Sequence, residues 1–260
     1  MDPGQRQDTV IDPIPIPVRI GCAGWSLSSA VADSFAAQGS HLERYAQVFS
    51  MVEINSSFYR PHQAKTYARW ADSVPDAFRF SVKIPRQVSH QLRLREADVA
   101  LDQFMQQVTA LGEKLGCLLL QLPPSLALEP DTAAAFFSLL ARYTAVPVAC
   151  EPRHASWFSP QGAALLEQAG VACVRAHPLP VAEGEPRGDP GMLYIRLHGA
   201  PEIYYSAYDA AFIAAVAARI IEARDAGRRI WCVFDNTARG AALPNALALM
   251  ALLKGDAPTA

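Results

Sequence analysis

Short apolar runs rich in β-branched residues recur along the chain, separated by longer stretches of helical period. The runs are VRIGC (18–22), MVEINSS (51–57), FRFSVKI (78–84), GCLLLQL (116–122), VPVACE (146–151), GVACVR (170–175), MLYIRLH (192–198) and IWCVFD (230–235). Runs of this length and composition predict buried strands. Between them, LDQFMQQVTALGEKLG repeats its apolar residues every three or four positions from Leu101 to Leu115, the spacing of one helix face. FSPQGAALLEQAG opens on Ser159 and Pro160 and closes on Gly170, while DAAFIAAVAARIIEARDAG runs from Asp209 to Gly227. Both carry the start and stop signals of a helix. Eight strands alternating with helices leave two architectures, a (β/α)8 TIM barrel or a doubly wound sheet. No G-x-G-x-x-G and no P-loop follows any strand, which removes the main support for the nucleotide-binding sheet. A single TIM barrel over residues 18–254 is therefore expected, preceded by a Pro-rich leader at 1–17 that reads as extended or disordered.

Alternate strand residues share a face, and in a barrel the functional groups gather where the strands end. MVEINSS sends Glu53, Asn55 and Ser57 one way and Val52, Ile54 and Ser56 the other. The other strands end in the same manner: Ser81 and Lys83, Gln121, Glu151 then Arg153, Arg196 and His198, and Asp235 followed by Asn236. Glu53, Lys83, Glu151 and His198 are the candidate catalytic groups, because paired carboxylates, a lysine and a histidine can move protons. Asn55, Gln121, Arg153, His154, Arg196, Asp235 and Asn236 are candidate ligand contacts, with Trp25, Tyr59, Trp157 and Tyr208 as aromatic walls. Glu151 and Arg196 form the expected centre. The competing reading is a purely structural charge network, since charges in a barrel mouth must be paired or solvated.

Composition narrows the function classes. With 260 residues, 51% of them hydrophobic, the chain can bury a large core. A net charge of −2 gives no global field for nucleic acid. The five cysteines include no C-x-x-C and read as buried thiols of a cytoplasmic protein. No run is long enough to span a membrane. His90, His154 and His198 with the carboxylates could hold zinc in principle, but no metal-binding spacing supports it; no cofactor is expected. The cations at the strand ends suit a small anionic ligand, since arginine offers a planar pair of donors.

The motifs GCAGWS, VEINSSFYRPH, FRFSVKIPRQVSH, LGCLLLQLPPSL, CEPRHASW, YIRLHG with YYSAYD, and FDNTARGAALPNA together resemble the YecE-like family, domain of unknown function 72. The resemblance spans about residues 18–252. It implies a TIM barrel and supplies no reaction. Two positions depart from the family pattern: Asp235-Asn236 stands where two asparagines are usual, and GCAGWSL where Gly-Thr-Ser-Gly-Trp-x-Tyr is usual. Three function classes stay open. The leading one is an enzyme, hydrolase- or lyase-like, acting on a small polar anionic substrate, phosphorylated or sugar-containing. The others are a nucleic-acid-binding or endonuclease-like barrel and a non-catalytic ligand-binding module.

Overall fold

The computed structural model describes residues 18–27, 29–181 and 186–255; the leader at 1–17 lies outside them. Every strand pairing is parallel. The strands are β1 (Val18–Cys22), β2 (Met51–Ile54), β3 (Arg79–Lys83), β4 (Leu115–Gln121), β5 (Val148–Glu151), β6 (Val171–Cys173), β7 (Arg175–His177), β8 (Met192–Leu197) and β9 (Arg229–Phe234). They form two sheets, β1-β9-β8-β7 and β2-β3-β4-β5-β6. The main helices are α1 (His41–Ala46), α2 (Ser56–Tyr59), α3 (Ala64–Asp72), α4 (Asp98–Val108), α5 (Pro130–Tyr143), α6 (Pro160–Gln168), α7 (Ala210–Asp225) and α8 (Ala242–Gly255). Parallel strands require such crossovers, and the result is an α/β fold.

The ladder does not close into a ring. At one seam β1 and β2 meet through a single bridge, Ala23 with Glu53, and Gly24 N–H donates to the Glu53 carbonyl at 3.0 Å. Their approach needs a glycine: a Cβ on Gly21 would sit 2.2 Å from the Met51 carbonyl oxygen. At the other seam the sixth predicted strand, read as one run, splits. β6 pairs with β5 and β7 with β8, the chain passing from one sheet to the other through Val174.

Local sequence explains the helix ends. Ser159 Oγ accepts from Gly162 N–H, and Asp209 Oδ1 accepts from Phe212 N–H, satisfying donors that a helix start leaves free. Gly170 and Gly227 take the left-handed conformation after α6 and α7, a common way to stop a helix. The predicted helix from Leu101 starts earlier, at Asp98, and gives way after Val108 to a 3-10 segment, Thr109–Lys114. Strand β2 ends at Ile54 rather than Ser57 because Asn55 turns into the helical region and starts α2. Ser57 therefore leaves the Glu53 face, its hydroxyl 2.6 Å from the Lys83 carbonyl.

Alternation along the strands makes two apolar clusters. Val52, Ile54, Phe80, Leu118, Leu120 and Phe234 belong to the larger one, with helix residues such as Tyr45, Leu101, Phe136 and Ile220. The opposite strand faces supply Met51, Cys117, Leu119, Ala149, Ala172, Tyr194, Trp231 and Val233 to a second. Full burial of one such aliphatic side chain contributes about 1.5–3 kcal/mol. The two sheets face one another across the second cluster, as Tyr194 of β8 meets Ser81 of β3 at 2.7 Å. All five cysteines are free and buried, and burial raises each thiol, leaving little of the reactive thiolate. Among the described residues, no helix is long and apolar enough to cross a membrane.

Candidate functional site

Continuing the second cluster toward the strand C-termini, the side chains change abruptly from apolar to charged. On β2 Met51 is followed on its face by Glu53, on β5 Ala149 by Glu151, and on β8 Tyr194 by Arg196 and then His198 just past the strand. On β9 Val233 is followed by Asp235. These five ionisable groups are all buried.

Arg196 is the hub. Its Nε donates to Glu53 Oε2 at 3.1 Å and its Nη2 to Glu53 Oε1 at 2.7 Å. Nη1 donates to Glu151 Oε2 at 2.5 Å, and Nη2 also reaches Asp235 Oδ2 at 3.0 Å. One guanidinium thus ties three strands' carboxylates together, using the planar fork that lysine lacks. Tyr194 donates its phenol proton to Glu53 Oε2 at 2.9 Å, so Ser81, 2.7 Å away, must donate to the phenol oxygen. Glu151 Oε1 accepts two bonds from Arg153, Nε at 3.0 Å and Nη2 at 2.8 Å.

The electrostatics follow from this pairing. Burial would raise Glu151, but Arg196, His198 and Arg153 hold it well below the usual carboxylate range. Asp235 behaves alike: burial opposes its charge, and Arg196, His198 and Lys83 keep it ionised. Burial would lower Arg196, and the three carboxylates hold it well above its ordinary value. His198 Nδ1 lies 3.0 Å from Asp235 Oδ2. Nε2 is 3.3 Å from Glu151 Oε1, without the geometry of a hydrogen bond. Burial disfavours its cation, yet Asp235 and Glu151 outweigh burial and raise it, favouring the imidazolium.

Lys83 differs from every other charge here. Its ammonium has no hydrogen-bond or ion-pair partner among the described residues; it lies 4.2 Å from the centre of the Phe58 ring, a cation–π contact. Burial and the charge of Arg196 bring it down to about 8, against the pull of Glu53, Glu151 and Asp235. Two amides border the same region. Asn55 Nδ2 donates to Asp235 Oδ1 at 3.2 Å. Asn236 Nδ2 donates to the Ser206 carbonyl and to Asn245 Oδ1, both at 3.0 Å. Because those partners only accept, both amide orientations are fixed, and each Oδ1 is left buried with no protein donor.

Of the predicted residues, Glu53, Lys83, Glu151, Arg153, Arg196, His198, Asp235 and Asn55 are brought together, and Gln121 sits in register beside Glu151. Several roles need correction. Arg196, expected as a ligand contact, is fully buried, and four of its five N–H donors go to carboxylates. Every carboxylate oxygen of Glu53 and Glu151, the expected acid–base pair, accepts a bond from arginine. Trp157 is a core residue whose indole N–H donates to the Leu126 carbonyl at 3.0 Å. His154 Nδ1 accepts from Ser156 N–H and caps a short turn. Tyr208 accepts from Gly199 N–H and donates to the His177 carbonyl, holding a loop rather than walling the site. Trp25 packs edge-on against Trp70 of α3, 5.1 Å between ring centres. Tyr59 is 71% exposed and faces a separate groove. Two contributors were missed, Phe58 under Lys83 and Tyr194 under Glu53; Tyr204, another strand-end aromatic, stands edge-on to His198 at 5.8 Å. Tyr194 could have been found two positions before Arg196, on the same face.

Parallel strands ending in a charged cluster define a class of α/β proteins whose functional groups lie at the strand C-termini. Within that class, the family model for protein of unknown function DUF72 matches residues 19–260, and the chain belongs to that family. It is 37% identical over 82 residues to the UPF0759 protein YecE of Escherichia coli K12, a stretch covering 32% of this chain and 30% of that protein. It is 28% identical over 149 residues to the UPF0759 protein YunF of Bacillus subtilis 168, 55% of this chain and 53% of that one. The matched stretches thus span about a third and about half of those relatives. A DUF72 family protein from Thermotoga maritima superposes with TM-score 0.75 at 22% identity, over 91% of this chain and 99% of that chain. One from Enterococcus faecalis superposes with TM-score 0.76 at 21% identity, over 92% and 96%. These likenesses carry the fold alone.

Proposed function

We propose that the two sheets are arcs of one (β/α)8 barrel, and that the protein is an enzyme acting on a small polar anionic substrate at the strand C-termini. The bridge between Ala23 and Glu53, and the passage of the chain through Val174, support the barrel. The observation that carries the function is Lys83: a nearly buried ammonium with no acceptor, beside a network whose other charges are all paired. A lysine with no protein acceptor, largely withdrawn from water and brought down to about 8, is suited to accept a proton or attack a carbonyl near neutral pH.

In this reading Arg196, Glu53 and Asp235 are the rigid support. Arg153, with a side chain still 24% exposed, contacts the substrate anion. Asn55 offers Oδ1 to its hydroxyl or amine protons, and His198 donates from Nε2. The proton balance is direct: Lys83 takes a proton from the substrate and His198 returns one. No cofactor is part of the proposal; among the described residues, no group of three or more His, Cys, Asp or Glu is arranged to hold a metal ion. Cytoplasmic residence remains part of it, supported by the free thiols. The nucleic-acid reading loses one of its phosphate contacts, because Arg196 is buried beneath the carboxylates.

A thermal-shift panel at constant ionic strength tests the site. Sugar phosphates, 2-oxo acids and inorganic phosphate are compared on the wild type and on Lys83→Met. Stabilisation by one organic class, lost in the variant, is expected. No stabilisation of the wild type by any of them, or equal shifts in both proteins, would overturn the assignment.

A further inference from the structure

A groove of about 680 Å³ opens on the other side of the Phe58 ring, between the segment joining α2 to α3, the turn after β3, and α4. This volume lies in the range of small-molecule sites, roughly 300–1,000 Å³. Its lining is distinctive in two ways. No aspartate or glutamate borders it, while Arg60 and Arg86 do. Both arginines are exposed, and neither side chain has an ion pair or hydrogen bond among the described residues. The nearby acidic Asp102 on α4 instead accepts from Gln106. The second feature is aromatic: Tyr59 stands edge-on to Phe58 at 5.0 Å and remains 71% exposed, an unusual amount of ring to leave in water beside two free cations. Glutamines from three sides, Gln63, Gln87 and Gln103, add donors and acceptors without charge.

Burial and then Arg60 lower His62; burial and then Lys83, Arg86 and Arg153 lower His90. Of these two rings only His62 borders the groove, and both shifts disfavour a cationic ring.

We propose that this groove is a second binding site, for a small ligand joining a flat aromatic ring to an anionic group, such as a mononucleotide. The ring would lie against Tyr59, the anion between Arg60 and Arg86, and the glutamines would read the ring's edge. The inference does not depend on the strand-end reaction, since it uses none of that network's residues.

Adenosine 5′-monophosphate is the probe, titrated calorimetrically at fixed ionic strength, with adenosine and inorganic phosphate as its separate halves. Wild-type protein is expected to bind it with a Kd below about 1 mM, and each half roughly tenfold or more weaker. Tyr59→Ala, and separately the double variant Arg60→Gln with Arg86→Gln, should each weaken it by about tenfold. Their melting temperatures should stay at the wild-type value, because all three side chains are exposed. Absence of binding would overturn the proposal, as would equal affinity for phosphate and the mononucleotide. So would affinity kept in the double variant but lost in Lys83→Met, which would assign binding to the strand ends.

Discussion

The two halves of the inter-sheet layer are built by the same strands in the same register, yet they do opposite things. Toward the strand N-termini, Met51, Cys117, Ala149, Tyr194, Trp231 and Val233 pack as an ordinary apolar interior. One step further along four of these strands stand Glu53, Glu151, Arg196 and Asp235, equally buried but joined in ion pairs. The first half gains stability by removing apolar surface from water. The second must overcome a desolvation cost of several kcal/mol per ion, and does so only because each carboxylate finds Arg196. A fold does not need this arrangement, since apolar side chains of similar volume often replace a buried ion pair without loss. The contrast is what the proposed function rests on: the C-terminal half carries charges that folding alone does not require.

The largest effect expected from breaking the contrast is at the hub. Arg196→Met leaves buried Glu53 with no cation partner and takes from Glu151 and Asp235 the guanidinium they share, so that only Arg153 and His198 remain to face them. A loss of about 3–5 kcal/mol is the usual result of removing one partner from a single buried pair, and here three pairs go at once. Urea denaturation should find the variant unfolded or close to it at neutral pH. A variant of near wild-type stability would mean that the carboxylates are protonated and that the network described here is wrong. Recovery of much of the stability when Glu53→Gln, Glu151→Gln and Asp235→Asn are added would confirm that the loss is electrostatic.

Next in size is Glu151→Gln. If Glu151 is the functional centre that the sequence suggests, and grouped charges strain it, its replacement should leave stability unchanged or raised. The geometry reverses that sign: one oxygen accepts from Arg196 and the other twice from Arg153. The amide can offer only one acceptor oxygen and turns a donor group toward an arginine. A fall in stability of about 3 kcal/mol is expected. The loss should shrink as pH falls through the depressed titration of Glu151, because a carboxylate lowered in the fold stabilises above its unfolded pKa and ceases to do so when protonated. A flat difference between the two proteins from pH 7 down to pH 2 would contradict it.

How much of this was legible beforehand depends on the kind of residue. Strand alternation placed Glu53, Arg196 and Asp235 on one face because a period of two survives any tertiary detail. It failed at Ser57, where Asn55 turned the chain into a helix after the strand's last residue. The aromatics misled for a different reason. Trp157 and Tyr208 have polar tips, and which partner a tip finds is settled by distant backbone, Leu126 for one and Gly199 with His177 for the other. Local pattern carries no trace of that. Nor could it tell support from chemistry among like residues. Arg196 and Arg153 both follow strand-end logic, but only packing decides that one is enclosed and the other keeps a face in the open.

The smallest effect, and the one of opposite sign, concerns Lys83. Its folded pKa of about 8 lies below the ordinary lysine value of 10.5, so the fold disfavours the charged form. Between those two pH values the unfolded chain binds a proton that the folded chain does not, and stability contributed by this group rises with pH. Below pH 8 the ammonium is carried at a cost, largely that of burial, and Lys83→Met removes it while keeping the length that covers the Phe58 ring. Stability of the variant at pH 7 is therefore expected to exceed the wild type by on the order of 1–3 kcal/mol, with the gap closing by about pH 10. His198 runs the other way: its raised pKa contributes stability that is full below about 6.5 and lost as pH climbs through its folded value. Because His198 is present in both proteins, the difference between the two melting curves isolates the lysine. Guanidinium titrations at pH 7 and pH 10 measure it. A variant less stable at pH 7 would show that Lys83 neutralises Glu53, Glu151 and Asp235 more than it suffers from burial, making it one more structural cation of the network.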